Sequence, residues 1–245
     1  VINPRIDTSV TLPWMREGTG FVVGLVDKLT DDELREPSAL PDWSRAHVVA
    51  HLARNAEAIA RLTRWARTGV ETPMYPSYQQ RNLAIESSVR HDVRTLRAEL
   101  TDTAAALARE ISQLDEHNWS TVVRTARGAE VPATVIPWMR TNEVWLHGVD
   151  LDAGSGLDAL PADLLDALVT YIAGEMSGRD GSPRATMAPT DRERSCPLGA
   201  AGADLTVRGT TADLLAWLSG RRVLGELTAH TEAGRVEVPA MPRWL

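Results

Sequence analysis

Apolar residues recur at helical spacing through roughly the first 150 positions and at strand-like spacing through much of the remaining chain. Leu12, Met15, Phe21, Val22, Leu25 and Leu29 predict a first helix over about residues 6–29, which Gly18, Gly20 and Gly24 weaken. Ser44, after Pro41-Asp42-Trp43, is a helix-start signal. From there Val48, Leu52, Ile59 and Leu62 carry a periodic apolar stripe to about Arg67. Pro73-Met74-Tyr75-Pro76 marks a loop. A third helical region is expected over about residues 79–115, with Val93, Leu96, Leu100, Leu107, Ile111 and Leu114 on one face. An extended excursion over Trp119–Arg124 should turn near Arg127-Gly128. A fourth helix is expected over about residues 135–150, with Pro137 in its first turn, where proline is tolerated.

The texture changes after Asp152. Ala153-Gly154-Ser155-Gly156 has the composition of a linker. Pro161 opens an amphipathic helix to about Met176. Strands are expected at Ala185–Ala188, Asp204–Arg208, Leu224–Thr228 and Arg235–Val238, with a helix from Thr210 or Thr211 to about Ser219. The fold class is therefore α+β: a four-helix bundle over residues 1–153, then a smaller C-terminal α/β domain over residues 154–245.

Composition narrows the function. The 245-residue chain is 43% hydrophobic and 24% charged, ordinary for a globular protein. A net charge of −7 argues against nucleic acid as a partner. No run of 18 apolar residues predicts a membrane span, and the opening Val-Ile-Asn-Pro-Arg lacks a signal-peptide pattern, so a cytoplasmic protein is expected. Cys196 is the single cysteine, which excludes an internal disulfide and fits a reducing compartment. With Pro197 and Gly199 close behind it and no histidine nearby, it reads as a structural thiol.

The fourth helix carries Ile136, Trp138, Met139, Val144, Trp145, Leu146 and Val149 around most of its circumference, so it should be buried on most sides. Its ionisable residues then need a reason. Glu143, His147 and Asp150 fall within about 60° of one another on the helical wheel. Buried charges are paired or bind metals. A Glu–His ion pair closed on itself is one option. The other is a metal site, which needs a ligand from a facing helix. His51 lies about 60° from the centre of the second helix's stripe, and His47 about 100°. His51 therefore reaches the interior more easily, whereas His47 reads as a partly exposed residue at the helix start. Asn55, inside the stripe, is a candidate to hydrogen-bond behind the ligands. His51, Glu143 and His147 leave one tetrahedral position open, the composition of a catalytic zinc site.

Pro41-Asp42-Trp43-Ser44…His47-Val-Val-Ala-His51-Leu-Ala, together with Asn142-Glu143-Val-Trp-Leu-His147-Gly-Val-Asp150, resembles the mycothiol-dependent maleylpyruvate isomerases of the wider DinB-like metal-binding group. The segment Gly209-Thr-Thr-Ala-Asp-Leu-Leu-Ala-Trp217-Leu-Ser-Gly220-Arg221 resembles their second domain. The resemblance implies a DinB-like bundle and zinc on His51, Glu143 and His147. It also implies a mycothiol cofactor and isomerisation of maleylpyruvate to fumarylpyruvate. Asp150 maps to an acidic position of the family and is, with Arg221, a candidate catalytic residue, to orient a ligand histidine or shuttle a proton. Arg221 maps to an arginine expected to face the active site from the second domain, although Arg222 is its immediate neighbour. The expected partners are a small dicarboxylate and a low-molecular-weight thiol, with no membrane; a monomer is compatible. Other readings share the metal site: a mycothiol-dependent S-transferase, a DinB-like metal hydrolase, and a non-catalytic ligand-binding module.

Overall fold

A computed structural model describes residues 4–200 and 202–244. The first three residues of the opening Val-Ile-Asn-Pro-Arg lie outside the described residues. The chain forms two compact units, Val1–Gly154 and Ser155–Leu245.

In the first unit four long helices make the bundle: α1 (Thr8–Val26), α3 (Arg45–Thr68), α5 (Val93–Ile111) and α7 (Ile136–Asp150). Helix α3 packs on α5 and on α7, and α1 packs on α7 and on α5, which closes the ring. Short helices α2 (Asp31–Arg35), α4 (Tyr78–Val89) and α6 (Glu116–Ser120) fill the connections. A hairpin of β1 (Val122–Arg124) and β2 (Glu130–Pro132) leads into α7. The apolar stripes meet inside: Ile59 and Leu62 of α3, Leu107 and Ile111 of α5, and Ile136 of α7 share one buried cluster.

The structure adjusts several sequence expectations. The region expected as one helix over 79–115 is two, because Asp92 caps a new start: its side chain accepts from the Thr95 backbone N–H at 3.0 Å. Trp119 and Ser120 are helical instead of extended, held by a capping box between Asp115 and Asn118. In α1 the glycine at position 18 has a packing reason: a Cβ there would lie 2.5 Å from Val144 and 2.6 Å from the Trp145 indole nitrogen. At Gly148 a Cβ would meet the Phe21 ring at 2.7 Å. These two glycines let α1 and α7 approach closely.

The second unit has α8 (Ala162–Met176), α9 (Thr211–Ser219) and five strands: β3 (Ala185–Pro189), β4 (Cys196–Leu198), β5 (Thr206–Gly209), β6 (Thr228–Thr231) and β7 (Gly234–Val236). The sheet order is β4-β3-β5-β6-β7, with β3 and β5 parallel and the other neighbours antiparallel. Strand β4 gave no pattern in the sequence. The strand expected from Leu224 begins only at Thr228, because Gly225 donates its N–H to the Asp213 carboxylate of α9 at 2.8 Å instead of to a strand. Cys196, half-buried on β4, has its thiol pKa pushed up by burial, as suits a structural thiol.

Candidate metal centre

Ser44 begins α3 and puts its chemistry in phase with the core. Its side chain and backbone N–H both engage the ring Nδ1 of His47, at 2.7 and 3.1 Å. His47 is thereby spent on the helix start, one turn short of the interior. His51, one turn on, is only 3% exposed and points toward α7. Arg45 fixes the register from the other side. Its guanidinium donates to the carbonyls of Leu151 and Asp152, at 2.7 and 2.9 Å, just past the end of α7.

Those ties bring three side chains together. His51 Nε2 lies 2.8 Å from Glu143 Oε2, and His147 Nε2 lies 3.4 Å from the same oxygen. The two imidazoles meet edge to face, with ring centroids 4.7 Å apart. One ligand atom from each residue falls within 4.8 Å of the others. Donors about 2.1 Å from a tetrahedral ion stand about 3.4 Å apart, so the spacing fits a first-row divalent metal after small side-chain adjustments. Trp43 walls one side, its ring centroid 5.6 Å from that of His51. Glu143 keeps 30% of its side chain exposed, so the cluster is open at the carboxylate.

The electrostatics suit a cation. Burial holds the His51 pKa down, to about 4, against the pull of Glu143. Burial opposes ionisation of Glu143, but His51 and His147 beside it prevail and hold its pKa well below the usual carboxylate range. Burial also opposes the charged form of His147; hydrogen bonds to Asp150 and Glu143 overcome it and raise the pKa to about 9.

Residues 15–152 match the family of the mycothiol maleylpyruvate isomerase N-terminal domain. The chain belongs to this family. Its fold is also that of a crystal structure of the mycothiol-dependent maleylpyruvate isomerase, at TM-score 0.88 and 32% identity over 96% of this chain and 95% of that one. A histidine-to-alanine mutant of that isomerase matches at TM-score 0.87, with the same identity and coverage. No curated protein matches the sequence.

Around the family's bundle core lies a further layer of polar side chains. Asp150 is 1% exposed, and its Oδ2 accepts from His147 Nδ1 at 2.9 Å. A carboxylate behind a histidine in this way sets the tautomer and turns Nε2 toward a ligand. Sequence reasoning missed Arg140, which is 1% exposed and donates through one terminal nitrogen to the Leu52 carbonyl and the Asn55 side chain, each at 2.8 Å. Burial lowers its pKa to about 10, while the Glu143 charge supports its ionised form. The available signal was an arginine three residues before Glu143 on an otherwise apolar helix. Asn55, the candidate to hydrogen-bond behind the ligands, is the acceptor for Arg140. Sequence reasoning also missed Arg81 of α4, whose guanidinium donates to His51 Nδ1 at 3.0 Å. Beyond it stands Tyr75, its ring 5.9 Å from that guanidinium; burial and the Glu143 charge raise the Tyr75 pKa. Arg221 belongs to the second unit, where its backbone closes α9 through the Ala216 carbonyl at 2.8 Å and its guanidinium stands 6.0 Å from the Trp244 ring. Arg222 is exposed. No helix among the described residues is long and apolar enough to cross a membrane.

Proposed function

We propose that this protein isomerises maleylpyruvate to fumarylpyruvate, with mycothiol as a regenerated cofactor. The observation that carries the reading is the His51–Glu143–His147 cluster, three donor atoms within 4.8 Å and open at the carboxylate, in a chain of this family. A divalent ion there, zinc by the preference for two imidazoles and a carboxylate, would supply the Lewis acidity that keeps a thiol ionised near neutral pH. His51 and His147 would present Nε2 and Glu143 an ionised oxygen. Asp150 would hold the His147 proton on Nδ1. His51, once its proton resides on Nδ1, can no longer accept from Arg81, so that guanidinium becomes available to an anion.

The chemical problem is a double bond that cannot rotate. The thiolate adds to one alkene carbon: a carbon–sulfur bond forms, the π bond breaks, and its electron pair moves onto the conjugated carbonyl as an enolate. Rotation about the resulting single bond comes next. Return of the electron pair re-forms the double bond in the trans geometry and expels the thiolate unchanged. For Arg221 we propose pairing with a substrate carboxylate or with the enolate oxygen, for which a guanidinium fork is suited.

Isomerase activity measured with and without mycothiol, beside metal analysis of the purified protein, tests this reading. Fumarylpyruvate formation that needs mycothiol is expected, with about one divalent ion per chain. Mycothiol conjugates that accumulate instead would make it a transferase. His51→Ala should remove most of the metal and nearly all turnover; a fully active, metal-free variant would refute the site. Arg221→Ala should impair turnover with metal retained, and unchanged kinetics would remove Arg221 from the mechanism.

A further inference from the structure

Arg81 of α4 brings a positive charge to the donor cluster from outside the two helices that carry the ligands. One terminal nitrogen of its guanidinium donates to His51 Nδ1, and the other donates to the Asn82 side-chain oxygen, each at 3.0 Å. Both partners are uncharged, because His51, with a pKa of about 4, is neutral at neutral pH. Arginines along α3 are instead spent on carboxylates: Arg54 on Glu57 and Glu99, Arg64 and Arg67 on Glu110. No carboxylate among the described residues forms an ion pair with Arg81. The Tyr75 ring stands 5.9 Å from the guanidinium, a cation–π distance that restrains it. Arg81 is partly exposed and Glu143 keeps 30% of its side chain exposed, so a solute can reach both.

The reaction needs a cation at this place. Maleylpyruvate carries a carboxylate at each end, and Arg221 alone does not answer both. Addition conjugate to the ketone puts sulfur on the alkene carbon that bears a carboxylate. A sulfur held at the donor cluster therefore brings that carboxylate to the cluster as well. Glu143 is ionised there and on its own repels it. With both imidazoles neutral as ligands, Glu143 is outweighed by a divalent ion on the three donors. The buried Arg140 and Asp150 offset each other in the count. Together with Arg81 the centre then holds two net positive charges, which a thiolate and one carboxylate neutralise. Coordination of His51 through Nε2 leaves its proton on Nδ1, so the guanidinium loses that acceptor. The freed fork matches a planar carboxylate.

We infer that Arg81 binds the substrate carboxylate next to the double bond and so determines which end of the dicarboxylate faces the ligands. The half of the adduct held by sulfur and Arg81 stays in place while the oxo-acid half turns. The far carboxylate or the enolate oxygen is left to Arg221. The inference rests on the isomerase function proposed for this chain and adds a specificity-determining residue to it.

The test uses the full-length, metal-loaded protein with mycothiol and the saturated analogue of maleylpyruvate, which cannot react. Calorimetry compares it with the same compound carrying an amide in place of the carboxylate remote from the pyruvate group. Wild type should favour the diacid by about 10–100-fold, the scale of one charge-assisted pair. In Arg81→Gln that preference should vanish, with metal content and mycothiol affinity unchanged. Arg81→Lys should restore part of it, as a point charge without the fork. A wild type that binds both analogues equally would overturn the proposal, as would an Arg81→Gln protein that keeps the preference. An Arg81→Gln protein that loses its metal would mark Arg81 as a support for His51, which overturns it too. Should wild type form no fumarylpyruvate with mycothiol present, the functional reading fails on its own. Arg81 then stands as a carboxylate site if maleate, titrated into the metal-loaded protein without thiol, binds wild type and not Arg81→Gln, and falls otherwise.

Discussion

Helix α3 is packed from two sides, and the two seams use the same residue types differently. Toward α5 the centre is apolar, with Ile59 and Leu62 against Leu107 and Ile111. The ion pairs there keep some solvent contact: Glu110 accepts from Arg64 at 2.7 Å and Arg67 at 3.3 Å, with Arg64 55% exposed, and Glu99 pairs with Arg54 at 3.2 Å, the two side chains 18% and 19% exposed. Toward α7 the order is reversed. His51, Asn55, Arg140 and Asp150 lie inside, each no more than 3% exposed, with Glu143 and His147 between them. Exposed ion pairs contribute about 0–1 kcal/mol each. Buried ones cost several kcal/mol in desolvation and return it only when fully hydrogen-bonded. The α3–α5 seam is therefore held by apolar burial at its centre, whereas the α3–α7 seam buries a network of charged and polar side chains.

The sharpest break of that contrast is Glu143→Ala. It removes the oxygen on which both imidazoles converge, so metal affinity should fall by more than the roughly 100-fold typical of a supporting residue, and turnover with it. Metal analysis after dialysis reads this directly; full metal content would show that the seam is an ion pair closed on itself.

Next in size is Arg140→Met, which leaves the Asn55 oxygen buried without its donor and Glu143 without a neighbouring cation. The metal-free protein should lose about 2–4 kcal/mol in urea unfolding. A loss close to zero would mean that Arg140 does not tie α3 to α7.

Asp150→Asn should weaken metal binding by about 10–100-fold while the fold persists. The same residue sets a proton count. With a metal-free pKa of about 9, His147 is protonated at neutral pH and must release that proton to coordinate, whereas His51, at about 4, is already neutral. Metal binding at neutral pH should therefore release about one proton per ion, and affinity should rise with pH until it levels off above about pH 9. Calorimetry in buffers of different ionisation enthalpy measures this. Release near zero in wild type would contradict the charged His147; in Asp150→Asn the release should shrink.

Smallest is Arg64→Ala on the α5 side. Glu110 keeps Arg67 as a partner, so stability should change by less than about 1 kcal/mol and metal content not at all. A larger effect would erase the distinction between the two seams.

Much of this was legible in the sequence because helical periodicity is local information. The stripe Val48, Leu52, Ile59 and Leu62 is buried as its spacing requires, and α7 is buried on most sides, as its apolar circumference demanded. The same wheel put Glu143, His147 and Asp150 on one face, and Ser44 announced where α3 begins. The misses lie where nearby residues compete for the backbone or where distant ones decide the outcome. Asp92 split a continuous stripe by capping a new start. The Asp213 carboxylate took the backbone of Gly225 out of a strand. Gly18 looked like a weakness of α1 until Val144 and Trp145 showed why no side chain fits there.

A helical wheel fixes the direction of a side chain about its own axis and nothing about the neighbouring axis. The sequence by itself thus determined which residues could serve as donors and which face of each helix they share. That His51 meets Glu143 at 2.8 Å, that Arg140 and Arg45 lock the two helices in that register, and that Arg81 and Tyr75 stand beside His51 were decided by packing. These contacts span intervals such as the 92 residues between His51 and Glu143, and only the closed bundle brings such positions into reach.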